Sequence, residues 1–596
     1  MSKMLGPHST EIIGTIRRGL FSSDFGFGSA TAAFQVEGAA TEFGKGPSIW
    51  DDWTCNRPDK VLDGSTGDVA INHYYQHKDD VKLMKNIGLE AYRFSISWPR
   101  ILPGGRIDAG INREGIKFYS DLIDLLLAQG IEPYVTLFHW DLPLALEHEY
   151  GGFLSDKIVK DFTEFAELCF WEFGDRVKNW ITFNEGWTYC NFGYMAGTFP
   201  PGRGMSSDEQ RNSQYRCCDY KGAWIPRIFS EIDAVTEPYR AAHNIFRTHA
   251  NAVEEGIQRV CSEIDAVTEP FLGAHNLFRA HANDNCSKGD PGTEPYLAAH
   301  NMLLAHAHAV DMYRKQFQLN QGGKIGITNN CHFFEPLNET DEDRAACIRA
   351  LDWMLGWFVA PVTTGDYPPN MRKSVKERLP TFSPEETKLV KGSYDFLGLN
   401  YYTTWYATNA PKQPGEKPTY LSDQELTTQT EKNGVPIGEP TGSTWLFIVP
   451  RGIYNLLVYV KETYHPHLIY ITENGMAEVN NPNLTISKAR MDPLRVRYYN
   501  EHLWYLWKAI AGVNVKAYFL WSFADNFEWA EGYTSRFGIF YIDYKDGRYT
   551  RVPKTSAIWW KNFFTKIGPR GSLKREAKHI GHGDLEKKPK VMTFTP

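Results

Sequence analysis

Eight short runs rich in β-branched and aromatic residues recur along the sequence, with helical patterns between them. They are FGFGSAT from Phe25, AYRFSIS from Ala91, EPYVTLF from Glu132, VKNWITFNE from Val177, KIGITNN from Lys324, DFLGLNYY from Asp395, LIYITENG from Leu468 and VKAYFLWSF from Val515. None alternates strictly, which predicts parallel strands buried on both faces. HYYQHKDDVKLMKNIG, REGIKFYSDLIDLLLAQG and SDKIVKDFTEFAELCFWEFG read as helices before the second, third and fourth runs. Gly88, Gly130 and Gly174 stand at their ends, where a helix C-terminus takes a residue tolerant of positive φ. Strand–helix alternation repeated eight times predicts an α/β fold, a single (β/α)8 TIM barrel with long βα loops. Length alone, 596 residues at roughly 100–200 per domain, would suggest several domains, but one barrel absorbs most of it. The expected organisation is an N-terminal extension over 1–18, a barrel over 19–568 and a basic, disordered tail over 569–596.

One stretch breaks the regularity. EIDAVTEPYRAAHNIFRTHAN from Glu231 and EIDAVTEPFLGAHNLFRAHAN from Glu263 agree at 16 of 21 positions. A diverged third copy, GTEPYLAAHNMLLAHAHAV, starts at Gly292 and leads directly into the fifth run. The third copy is therefore read as structural, and about 219–285 as a duplicated helical insert, too few units for a solenoid. Histidines recur through the three copies, but no HExxH-like pair accompanies them, so no metal site is expected. The nine cysteines form no CxxC pair, and their odd number favours a reducing compartment. A net charge of −7 argues against nucleic acid as a partner. No apolar run is long enough for a signal peptide or a membrane span, so neither is expected. KR at 574–575 and KKPK at 587–590 have the spacing of a two-part nuclear-import signal, giving nucleus as the expected location and cytoplasm as the alternative. A homo-oligomer is left open.

In such barrels the chemistry lies at the C-terminal ends of the strands. Here those ends carry Gln35 and Glu37, then His139, Trp140 and Asp141, then Asn184 and Glu185, then Asn329 and Asn330, Tyr401 and Tyr402, Glu473 and Asn474, and Trp521 with Glu528 and Trp529 beyond. Glu185 and Glu473 close strands four and seven, across the barrel mouth from one another. Two facing carboxylates are what glycoside hydrolysis needs, one to protonate the leaving oxygen and one to meet the developing oxocarbenium ion.

These motifs resemble family 1 glycoside hydrolases, the β-glucosidase family, over roughly 20–566 apart from the insert. The match rests on FQVEGA at 34–39, YRFSISWPRILP at 92–103, TLFHWDLP at 136–143, TFNE at 182–185, NYYT at 400–403, ITENG at 471–475 and WSFADNFEWAEGY at 521–533. Within the family, GINREGIKFY at 110–119, the AELCFWEFGDRVKNWITFNE block and the basic tail are similar to plant glucosidases acting on alkaloid glucosides. The resemblance implies Glu473 as nucleophile and Glu185 as acid/base. It implies Gln35, His139, Asn184, Trp521, Glu528 and Trp529 as sugar contacts, and Trp445 as a platform for the aglycone. Tyr402 would hydrogen-bond the nucleophile, Arg93 would keep it ionised, and Asn330 would support the site, with Asn329 leaving that register open. It implies a small-molecule glucoside as substrate, no metal and no organic cofactor. One departure stands out: the family reads NEP where this chain reads Asn184-Glu185-Gly186. Glycine adds backbone freedom, so looser preorganisation of Glu185 is expected. Beside an alkaloid glucosidase stand a β-glucosidase of broad phenolic or terpenoid specificity, a transglucosidase, and a sugar-binding relative impaired at Gly186 or by the insert.

Overall fold

The computed structural model describes residues 13–204 and 289–565. The eight runs form eight strands: β1 (Gly26–Ala30), β2 (Ala91–Ser95), β3 (Glu132–Phe138), β4 (Asn179–Asn184), β5 (Lys324–Asn330), β6 (Phe396–Asn400), β7 (Ile469–Asn474) and β8 (Val515–Trp521). They pair in chain order, all parallel, and β8 closes on β1. The expected (β/α)8 barrel is the fold.

The barrel is filled, and its filling changes character along the axis. Tyr134, Phe396, Tyr470 and Phe519, from four different strands, meet inside it with neighbouring ring centroids 4.4 to 5.8 Å apart. Gly28 of β1 makes room for this plug, since a Cβ there would lie 2.5 Å from the Phe519 ring and 2.6 Å from the Ala91 carbonyl oxygen. Towards the C-terminal end the filling turns polar. Arg93 donates to Thr136 at 3.3 Å, and the hydroxyls of Thr328 and Thr472 lie 3.3 Å apart. The apolar plug stabilises the closed sheet. The polar layer is the base on which the site stands.

Among the outer helices, α1 (His73–Ile87) and α2 (Arg113–Ala128) are followed by Gly88 at φ 90° and Gly130 at φ 69°. Gly174, which follows α3 (Lys157–Phe173), departs from expectation: its φ is −73°, in the right-handed region. A Cβ there would fall 2.1 Å from Gln321 Oε1, the far end of a long side chain that would have to turn aside. Glu185 stands at the head of the short α4 (Gly186–Cys190). The third copy of the repeated segment forms α5 (Glu294–Tyr313), packed behind β4. Its histidines serve the packing: His306 pairs with Thr182 of β4 at 2.7 Å and His300 with Tyr367 at 3.1 Å. The helical stretch Asp341–Thr364 is long and apolar enough to cross a membrane, but 83% of its most apolar window is buried inside the fold. The first two copies, the insert at 219–285 and the basic tail lie outside the described residues.

Candidate active site

Both glutamates escape the alternation of their strands. Pairing of β7 with β6 slips register between Ile471 and Glu473, and pairing of β4 with β5 slips between Ile181 and Asn184. Such irregularities re-aim a side chain that strict period-two geometry would place elsewhere. Glu185 also adopts left-handed backbone angles, φ 47° and ψ 61°, which few non-glycine residues do. Its N–H donates to the Thr328 carbonyl at 2.9 Å, which holds it there.

The two carboxyls have different surroundings. Arg93 of β2 donates through Nη1 to Glu473 Oε1 at 2.5 Å, and the Tyr402 hydroxyl donates to Oε2 at 2.6 Å. Among the described residues, no cation lies at hydrogen-bond range of Glu185. Asn400 donates to its Oε1 at 2.7 Å, and the Thr188 hydroxyl lies 2.7 Å from its Oε2. Arg93 Nη2 donates to Asn184 Oδ1 at 2.6 Å, and Asn400 donates to the same oxygen at 3.1 Å, so one network links both carboxyls. Burial, then the charge of Glu473, pushes the Glu185 carboxyl up to about 8. Burial raises Glu473 as well, but the Arg93 charge and the Tyr402 hydroxyl oppose it. The proton therefore belongs to Glu185 and the charge to Glu473.

A pocket floor adjoins them. Asn184 Nδ2 lies 3.0 Å from His139 Nε2, while His139 Nδ1 is buried without a partner in the protein. Burial, then Arg93, holds the His139 imidazole far below its ordinary range, so it is neutral. Gln35 Nε2 donates to the Phe527 carbonyl at 2.8 Å and to Glu528 Oε2 at 3.3 Å, while Gln35 Oε1 has no partner. His139 stacks on Trp521 and Trp529 at 6.0 and 5.9 Å between centroids. Buried polar atoms without partners beside flat aromatic faces are a binding surface for a polyhydroxylated ring.

Trp445 lies outside this floor, half-buried, edge-on to Tyr402 at 5.7 Å. His332 lies parallel to Trp445 at 5.8 Å and 8°, and Trp405 backs both, with its indole N–H donating to the Trp445 carbonyl at 2.9 Å. Burial lowers His332 to about 3, so this wall is uncharged.

The structure thus gathers Gln35, Arg93, His139, Asn184, Glu185, Tyr402, Glu473, Trp521, Glu528 and Trp529 around one mouth, with Trp445 beyond. Asn330 makes no hydrogen bond to either glutamate. Its register partner across the β5–β6 ladder, Asn400, does so instead, because β6 lies between β5 and β7. Sequence reading passed over Asn400, Thr188 and His332. Asn400 opens the NYYT motif and Thr188 follows TFNE by three residues, so both were open to a sequence reading, whereas nothing local marks His332. Gly186 is closely surrounded: a Cβ there would meet the Phe358 ring at 2.4 Å and Met302 Sδ at 2.9 Å, so the packing leaves no room for a side chain.

A closed (β/α)8 barrel carrying one protonated and one ionised glutamate at its mouth, above a sugar-shaped polar floor, is the architecture of a glycoside hydrolase. Comparison with known proteins makes this specific. The chain belongs to glycosyl hydrolase family 1, whose model matches residues 17–268 and 269–569. It is 50% identical to an oleuropein beta-glucosidase of Olea europaea over 553 residues, 92% of this chain and 90% of that one. It is 48% identical to a raucaffricine-O-beta-D-glucosidase of Rauvolfia serpentina over 572 residues, 94% of each. The crystal structure of the rice Os3BGlu6 beta-glucosidase aligns with a TM-score of 0.77 and 40% identity, covering 92% of this chain and 99% of that one.

Proposed function

We propose that this chain is a retaining β-D-glucosidase that hydrolyses the O-glucoside of a plant monoterpenoid indole or related alkaloid, of the strictosidine kind. The observation that carries the mechanism is the asymmetry of the two carboxyls: Glu473 bound by Arg93 and Tyr402, Glu185 buried against the uncharged Asn400 and Thr188. Glu473, ionised, attacks the anomeric carbon. Glu185 gives its proton to the departing aglycone oxygen, and a glucosyl ester forms on Glu473. Esterification removes the charge of Glu473, one of the causes that hold Glu185 protonated. Glu185 then ionises, takes a proton from water, and the water oxygen displaces Glu473 from the sugar. Gln35, His139, Asn184 and Glu528 hold sugar hydroxyls, Trp521 and Trp529 wall the ring, and Arg93 and Asn400 support the two glutamates.

The alkaloid reading is supported by the uncharged wall of Trp445, His332 and Tyr402, which suits a planar polycyclic aglycone, and by the raucaffricine glucosidase relative. The slightly higher identity to a glucosidase named for oleuropein favours a second reading, broader phenolic or terpenoid specificity. Glucose release is to be measured from strictosidine, raucaffricine, oleuropein and a simple aryl β-glucoside, with Glu473→Gln as control. Preference for strictosidine, lost in the variant, is expected; turnover of the aryl glucoside alone would keep the mechanism and discard the alkaloid. We assign the KR and KKPK clusters to nuclear import. A fluorescent fusion lacking the residues after Gly571 should lose nuclear signal, and unchanged signal would remove that role.

A further inference from the structure

We propose that Thr188 is a positioning residue for the acid/base: it fixes which oxygen of Glu185 carries the proton and stabilises the carboxylate once the proton has left. This rests on the assignment of Glu185 as acid/base. Asn400 Nδ2, a donor only, faces Oε1 at 2.7 Å, and its amide is oriented by the Thr472 hydroxyl, which donates to Asn400 Oδ1 at 2.7 Å. Oε1 is therefore an acceptor, and the proton goes to Oε2. The buried atom facing Oε2 is Thr188 Oγ1, at 2.7 Å. A hydroxyl accepts from a protonated carboxyl and, after rotation, donates to an ionised one. Of the two described side chains that hydrogen-bond Glu185, only the Thr188 hydroxyl can both accept and donate, and so follow both states.

The orientation of Thr188 is unlike that of helical threonines elsewhere in the chain. Thr54, Thr163, Thr363, Thr364 and Thr565 each place their hydroxyl on the carbonyl four residues back, the ordinary local bond. Thr188 lies three residues after Glu185 on α4 and bonds the Glu185 side chain instead. In the first step the Oε2 proton passes to the glycosidic oxygen as the bond from C1 to that oxygen breaks and the bond from C1 to Glu473 forms. Thr188 then turns its hydrogen to Oε2. In the second step Oε2 takes a proton from water while the water oxygen binds C1 and the ester to Glu473 breaks.

Thr188→Val keeps shape and removes the hydroxyl, and Thr188→Ser restores it. A hydrogen bond to a charged acceptor is stronger than one to a neutral group. In Thr188→Val the basic limb of kcat/KM should therefore move up by roughly half to one pH unit. With a 2,4-dinitrophenyl glucoside, whose departure needs no acid, kcat should fall about tenfold while kcat/KM barely changes, because only the base-dependent second step suffers. Azide, a nucleophile that needs no base, should restore kcat and yield glucosyl azide. Thr188→Ser should behave as the unmodified enzyme, and Thr188→Ala serves if the valine variant fails to fold. An unmoved pH limb, with kcat and kcat/KM falling together and no response to azide, would overturn the proposal. Glu185→Ala run beside them separates the two levels: absence of azide rescue there would overturn the acid/base assignment and the role of Thr188 with it.

Discussion

Glu185 is held protonated by the same burial that opposes its ionisation, and two measurable consequences follow. The free enzyme must keep Glu185 protonated and Glu473 ionised. kcat/KM should therefore fall as pH rises through about 8, and fall again at acid pH below a limit set by Glu473, itself above the ordinary carboxyl range. A pH profile with no basic limb near 8 would contradict this. The second consequence concerns stability. Glu185 moves from 4.5 in the unfolded chain to about 8 in the fold, so the fold holds the extra proton between those values. Its contribution is thus intact below about 4.5 and is lost as pH rises towards 8. Glu185→Gln removes the titration and should stabilise the protein at pH 8, by about 4 kcal/mol as an upper bound, with the gain vanishing near pH 4. Thermal melts at both pH values check it. The glutamates themselves were legible in TFNE and ITENG. The partners that distinguish them were less so, because Asn400 and Thr188 reach Glu185 by geometry that neighbouring letters do not state.

The register slips in β4 and β7 aim the glutamates, and an alternation count over those strands would have placed one or the other wrongly. The loop after β8, bearing Glu528 and Trp529, is anchored by the fully buried Asp525, which accepts from Arg536 at 2.5 Å, Lys554 at 2.8 Å and the Gly538 N–H at 3.0 Å. Removing one partner of a buried ion group leaves uncompensated charge. Lys554→Met should cost about 3–5 kcal/mol in urea unfolding and, with Glu528 in its proposed role of sugar contact, raise KM more than it lowers kcat. On the opposite side of the same ladder, Gly28→Ala would drive a methyl into Phe519 and the Ala91 carbonyl, costing about 1–3 kcal/mol by the same measurement. Gly174 ends α3 as read, but with right-handed backbone angles rather than the positive φ that its position suggested.

For the whole molecule, the duplicated segment poses the main question. All eight strands and α5 lie outside 219–285, and the chain on either side of the interruption is tied by the ion pair of Arg203 with Glu294 at 2.5 Å. Deleting 219–285 would shorten the connection without removing a barrel element, and loop-closure entropy depends weakly on length. The shortened protein should melt within a few degrees of the full chain and turn over an aryl β-glucoside at a similar kcat. Loss of activity with an intact fold would assign the insert a part in the site.

The sequence by itself determined the barrel, the order of its strands, and the two glutamates with most of the groups around them. These are properties of runs and short motifs: buried parallel strands need continuous apolar stretches, and strand ends carry the chemistry. Only the tertiary structure decided which glutamate holds the proton, that Asn400 rather than Asn330 bonds Glu185, that no side chain fits at Gly186, and that His332 faces Trp445. Each depends on burial and on contacts between residues far apart in the chain. Those quantities exist only once the barrel has closed.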